Sequence, residues 1–170
     1  VSIFAEVIEI GAREGCDLIN IETMNDSYEV KAAVLAAKEH SDLPVFVSTV
    51  YDESAKLLTG ADPAAMVSML EGLRVDALGM NCSLGPAQMK SIVPQLIELS
   101  SIPVIVKPNA GLPRAEGDRT VYDVDAEEFA AIMKDIVEAG ASIVGGCCGT
   151  TPEYISRLVE TCQTIPYRPV

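Results

Sequence analysis

The sequence predicts an α/β fold of parallel strands alternating with helices, and three observations predict it. Five short runs, at 17–21, 45–50, 76–80, 103–107 and 142–146, are continuously apolar instead of alternating, as expected of strands covered on both faces. Amphipathic segments with recognisable starts lie between them. Gly15, Gly72 and Gly140 each fall after a helical segment and before a strand, where a left-handed residue commonly closes a helix. Such alternation implies right-handed crossovers. Two closures satisfy it: an open doubly wound sheet and a (β/α)8 barrel.

The elements follow in order. A helix over 2–14 ends at Gly15 and leads to the strand 17–21. Asp26 or Ser27 caps a helix over 28–40, before the strand VFVSTV. Asp62 precedes Pro63, which suits the first turn of a helix reaching about Glu71. Pro86 opens a helix to Leu99, with Pro94 expected to kink it. Asp125 caps 126–139, and Thr151-Pro152 opens 153–162. We read one domain over 1–170. A barrel of eight units takes about 250 residues, so on that reading the first three βα units lie outside these 170 residues. An open sheet needs no further units but expects a glycine-rich phosphate loop after its first strand; ETMND follows Ile21 instead.

Composition narrows the function. The formal net charge of −13 opposes binding to a phosphate backbone, so no nucleic-acid partner is expected. No apolar run approaches the ~20 residues of a membrane helix, and no basic amphipathic helix suggests membrane adhesion. Five cysteines without a basic-then-apolar leader point to a reducing, cytoplasmic setting with thiols as ligands or small buried groups.

Reactive residues of parallel α/β folds gather at strand C-termini. Those ends here offer Glu22 and Thr23; Ser48, Thr49 and Asp52; Asn81, Cys82 and Ser83; Lys107 and Asn109; and Cys147 with Cys148. Three thiolates on one face suit a borderline-soft cation, commonly Zn2+, and three protein ligands with a free vertex is the catalytic pattern. The single histidine, His40, ends a helix and offers no fourth ligand. Glycines around the Cys147-Cys148 pair let the backbone turn so that neighbours can share an ion. Cys16 and Cys162 read as small buried residues. A redox pair at 147–148, and a Schiff-base aldolase using Lys107, are the competing chemistries.

The segments GMNCSLGP (79–86), KPNAGLP (107–113) and GGCCGTTPE (145–153), with IETMND and LTGADP before them, resemble the homocysteine S-methyltransferase domain family. They look closest to the homocysteine-binding module of cobalamin-dependent methionine synthases. The resemblance implies a zinc-dependent (β/α)8 barrel represented by about five C-terminal units. It implies Cys82, Cys147 and Cys148 as zinc ligands, with the homocysteine sulfur as fourth. Glu22 is expected at the α-ammonium, while Asn81, Asn109 and the backbone near Ser83 are expected around the rest of the amino acid. Asp52 and Thr59 are loop or supporting residues. A methylated corrinoid is the expected donor. No Asp-x-His-x-x-Gly corrinoid motif occurs in these residues, which places methylcobalamin on another domain or protein. Alone, the chain is expected to be inactive and to self-associate through open barrel edges; a non-catalytic metal-binding fragment is the alternative reading.

Overall fold

A computed structural model describes residues 1–169. Thirteen elements run in the order α1 (Ser2–Arg13), β1 (Ile19–Met24), α2 (Ser27–His40), β2 (Val45–Thr49), α3 (Pro63–Gly72), β3 (Ala77–Asn81), α4 (Pro86–Leu99), β4 (Val104–Lys107), β5 (Pro113–Glu116), β6 (Arg119–Tyr122), α5 (Ala126–Ala139), β7 (Ile143–Val144) and α6 (Pro152–Cys162). The main sheet is parallel throughout, in the order β1-β2-β3-β4-β7. Strand order therefore equals chain order, without the reversal that defines a doubly wound sheet. Each helix packs against the next along the chain. This is an arc of the (β/α)8 barrel type, with β1 and β7 each paired on one side among the described residues.

Register separates the two faces. Val45, Val47, Leu78, Met80, Val104 and Val106 point outward and join one core with Val30, Val34, Met66, Leu70, Met89, Ile92, Phe129, Met133 and Leu158 of the helices. The other face carries Asn20, Glu22, Phe46, Ser48, Ala77, Gly79, Asn81, Ile105 and Lys107. Polar residues crowd that inner face towards the strand C-termini. Among the described residues, no helix is long and apolar enough to cross a membrane.

The caps follow from side-chain chemistry. Asp26 accepts from the backbone N–H groups of Tyr28 and Glu29 at 2.7 and 3.0 Å, so it and not Ser27 is the cap. Asp62 and Asp125 accept from Ala65 and Glu128 at 3.0 and 2.9 Å, supplying an acceptor to otherwise unpartnered helix N–H groups. α4 stays helical through Pro94. Gly15 and Gly140 have φ of +86° and +129°, as expected of helix-closing glycines. Gly72 does not: it ends α3 inside the helix, and Arg74 takes the left-handed turn at φ +58°.

Two differences bear on function. The last strand is only Ile143–Val144: Gly145 N–H still donates to the Val106 carbonyl at 3.2 Å, and Gly146 begins the cysteine turn. The antiparallel hairpin β5–β6, turning at Gly117 (φ +61°), rises between β4 and α5 and has no counterpart in the sequence reading. Its first strand is exposed along its length, so no hydrophobic period marks it.

Gly79 lies at the centre of the arc. A Cβ there would stand 2.7 Å from the Ile105 backbone nitrogen, a backbone contact that no rotamer change relieves. Gly79→Ala is expected to lose about 2 kcal/mol or more in urea unfolding. Gly72→Ala, with nothing within 4 Å of the added carbon, is expected to change stability by less than about 1 kcal/mol.

Candidate metal centre

Three strand ends build the site. β3 ends at Asn81, and the chain then passes through Cys82 and Ser83 with φ of +58° and +64°. Two consecutive non-glycine residues in the left-handed region are uncommon, and such strain collects where function fixes a geometry. Backbone bonds hold the turn: Cys82 N–H donates to the Lys107 carbonyl at 3.1 Å, and Leu84 N–H to the Cys82 carbonyl at 2.7 Å.

The second contribution comes after β7. Cys147 N–H donates to the Pro108 carbonyl at 2.8 Å, Ala110 N–H to the Cys148 carbonyl at 2.9 Å, and Cys148 N–H to Asn109 Oδ1 at 3.0 Å. The Thr150 hydroxyl donates to the Cys147 carbonyl at 2.7 Å. A Cβ on Gly146 would lie 2.8 Å from the Thr150 Cβ, so this close turn requires a glycine. Neighbouring cysteines thus face one point because their peptide is pinned to the β4–β5 loop.

The three sulfurs of Cys82, Cys147 and Cys148 lie within 4.8 Å of one another, with Cys82 Sγ and Cys148 Sγ 3.7 Å apart. Sulfurs sharing one tetrahedral zinc at about 2.3 Å stand about 3.8 Å apart, so the trio fits a shared ion. Burial pushes the Cys82 thiol up to about 11, reinforced by hydrogen bonding to the other two sulfurs. A nearby cation is what would bring it to the thiolate at neutral pH. Cys148 is exposed and the other two half-buried, which leaves the cluster open on one side. Cys16 is exposed, contrary to the expectation of a buried thiol, and Cys162 is half-buried; neither joins the trio.

Asn81 organises the centre. Its side chain is wholly buried. Its Oδ1 accepts from Thr23 N–H at 3.0 Å and from the Ser48 hydroxyl at 2.8 Å. Its Nδ2 donates to Thr23 Oγ1 at 2.8 Å and faces Cys147 Sγ at 3.8 Å. Both ends of the amide expected at the substrate are therefore engaged by protein. Asn109, 3% exposed, likewise spends its oxygen on Cys148 N–H. Ser83 is exposed beside Cys82. Asp52 accepts from Ser54 and Lys56 within its own loop, and Thr59 is exposed; both are loop residues here. His40 pairs with Glu9 on the helical side.

Glu22 and Lys107 meet as an ion pair across the inner face, and Asn20 Nδ2 also donates to Glu22 at 3.2 Å. The amine that a Schiff base would require is therefore engaged. A register shift between Ile21 and Met24, with Thr23 at φ +62°, turns the end of β1 towards Asn81.

Tyr122, absent from the sequence reading, comes from the hairpin. A Cβ on Gly149 (φ +80°) would fall 2.5 Å from Cγ of its ring, so the ring lies directly over the cysteine turn. Partial desolvation and the adjacent Cys148 sulfur raise its phenol above the usual range. Its sequence signal was RTVY following Gly117-Asp118, a β-prone run behind a turn dipeptide.

Three cysteine sulfurs gathered at the C-terminal mouth of parallel strands form a group that could hold a metal ion, on an arc of the (β/α)-barrel type. The chain belongs to the homocysteine S-methyltransferase family, whose model matches residues 1–162. It is 39% identical over 163 residues to methionine synthase of Mycobacterium leprae (strain TN) and 37% identical over 157 residues to that of Mycobacterium tuberculosis (strain ATCC 25618 / H37Rv). These matches cover 89% of this chain in each case but only 14% and 13% of those proteins. Among solved structures it is similar to the Escherichia coli homocysteine methyltransferase MmuM. The metallated form aligns with TM-score 0.71 at 26% identity, covering 91% of this chain and 51% of that one; the oxidised form gives 0.73 at 25%, covering 92% and 52%.

Removing the Asn81 amide would leave the buried Ser48 hydroxyl and the Thr23 N–H without acceptors, at about 1–3 kcal/mol for each group. Asn81→Ala is expected to shift urea unfolding by at least about 2 kcal/mol. Asn109→Ala, which deprives one N–H near the surface, is expected to cost about 1 kcal/mol or less. Equal losses would contradict the assignment of Asn81 as the organiser.

Proposed function

We propose that this chain is the metal-holding, C-terminal part of a homocysteine S-methyltransferase barrel. In this reading Cys82, Cys147 and Cys148 hold zinc, and the free side of the trio receives the thiol of homocysteine. The observation that carries it is the convergence of three sulfurs from two distant turns, at separations suited to one tetrahedral ion.

Bound zinc would supply thiol deprotonation at neutral pH without redox chemistry of its own. The chain's residues do the rest. Asn81 fixes the β3 turn against β1 and β2, and its Nδ2 steers Cys147. Asn109 fixes the Cys148 peptide. Glu22 is the anchor for the α-ammonium, and the exposed Ser83 stands beside Cys82. The acceptor sulfur then attacks the donor's methyl carbon, the donor–methyl bond breaks with its electron pair staying on the donor, and methionine results.

The likeness to methionine synthases favours a methylated corrinoid as donor, carried on another domain or protein and approaching the exposed Cys148 side. The remaining barrel units would come from sequence outside these residues. The share of MmuM that the chain matches, about half, supports this, as do the one-sided strands β1 and β7. A cytoplasmic setting fits free thiols.

Metal analysis of the wild type and of Cys147→Ser, with homocysteine titrated into each, tests the reading. Zinc retained by the wild type, and lost from the variant together with thiol binding, is the expected result. Far-ultraviolet circular dichroism checks that the variant keeps its fold. Metal content unchanged by Cys147→Ser would overturn the assignment.

A further inference from the structure

Among the described residues, the β5–β6 hairpin contributes nothing to the hydrophobic core. β5 is exposed throughout, and only Val121 and Tyr122, the last two residues of β6, are half-buried. Its base is nevertheless fixed. Val124 N–H donates to the Ala110 carbonyl at 3.1 Å, and Ala110 N–H donates in turn to the Cys148 carbonyl at 2.9 Å. The Tyr154 hydroxyl of α6 donates to the Val124 carbonyl at 2.8 Å, and its ring meets Phe129 edge-on with centroids 5.5 Å apart. A Cβ on Gly111 (φ +96°) would lie 2.8 Å from Val124 Cγ2, so the two legs close directly on each other. Tyr122 is thus carried by an anchored base.

The ring rests on the least restrained part of the cysteine turn. Gly145, Gly146 and Gly149 give that segment wide conformational freedom, which must be removed if neighbouring sulfurs are to hold one aim. Hydrogen bonds fix the N–H groups and the carbonyls of both Cys147 and Cys148. Gly149 makes no hydrogen bond among the described residues. Instead the Tyr122 ring fills the place of its missing side chain, with Cγ 2.5 Å and Cε2 3.0 Å from a Cβ built there. We propose that Tyr122 is a positioning residue for Cys148: its ring, mounted on the hairpin, presses on Gly149 and keeps the Cys148 sulfur turned towards Cys82. Ring carbons make this contact, so a phenylalanine serves as well. On this account the hairpin is a mount for one aromatic side chain, which is why it needs no core of its own. The inference rests on the reading of the cysteine trio as a metal site.

The test loads the full chain with Co2+, whose thiolate charge-transfer absorption reports the sulfurs bound. It compares the wild type with Tyr122→Ala, Tyr122→Phe and Cys148→Ser. Tyr122→Ala is expected to weaken Co2+ binding about 10- to 100-fold, the usual weight of a residue that orients a metal ligand. Its absorption at saturation is expected to fall towards that of Cys148→Ser. Tyr122→Phe is expected to match the wild type in both, and metal-free Tyr122→Ala to unfold in urea as the wild type does. Wild-type affinity and absorption in Tyr122→Ala would overturn the assignment while leaving the trio intact. A phenylalanine variant as impaired as the alanine one would also overturn it, as would a cobalt deficit matched by an equal loss in metal-free unfolding. Absence of thiolate absorption from the cobalt-loaded wild type would overturn both this inference and the metal-site reading.

Discussion

A single buried amide sets the geometry on which the rest depends. Asn81 accepts from β1 and β2 through Thr23 and Ser48, and donates to Thr23 while facing Cys147. Four contacts from one side chain bring the ends of three strands, and the turn after a fourth, to one place. An amide suits this work because it offers two donors and two acceptor lone pairs within one plane. An aspartate would lack the donor that the amide gives to Thr23 Oγ1 and turns towards Cys147 Sγ. A leucine would leave the buried Ser48 hydroxyl and the Thr23 N–H without their acceptor.

Around this hub the local backbone departs from regular geometry at the ends of β1 and β3. Thr23, Cys82 and Ser83 adopt positive φ, conformations that cost free energy and persist only when their surroundings determine them. Each is held by bonds already described: Thr23 by Asn81, Cys82 by the Lys107 carbonyl, and Ser83 by the Leu84-to-Cys82 turn. The sheet supplies rigidity and the loops supply direction. The core on the helical side contributes no group to the cysteine cluster.

Much of this was legible in the sequence, for definite reasons. Strands covered on both faces leave continuous apolar runs, and Asp26, Asp62 and Asp125 announce helix starts by their capping chemistry, so the βα order could be read directly. The cysteine trio was legible because glycines bracket it and because strand C-termini are where such folds place chemistry. The rest depended on contacts distant in sequence. Nothing near Asn81 reveals that Thr23 and Ser48 will consume its amide, nor that Lys107 will reach Glu22 across two strands. The β5–β6 hairpin escaped because its first strand buries neither face, and Tyr122 escaped with it. Arg74 displaced Gly72 at the end of α3 because the helix continued one turn position further than its glycine suggested.

The arc's simple winding bears on how the molecule comes into being. Strands and helices alike touch their successors along the chain, so consolidation can advance unit by unit as the polypeptide emerges from the ribosome. The sulfurs obey a different timetable, for Cys82 must wait for a partner 66 residues downstream. The cluster is thereby completed only after the scaffold beneath it has set, and a nascent chain stalled before the last unit would present Cys82 without its two sulfur neighbours.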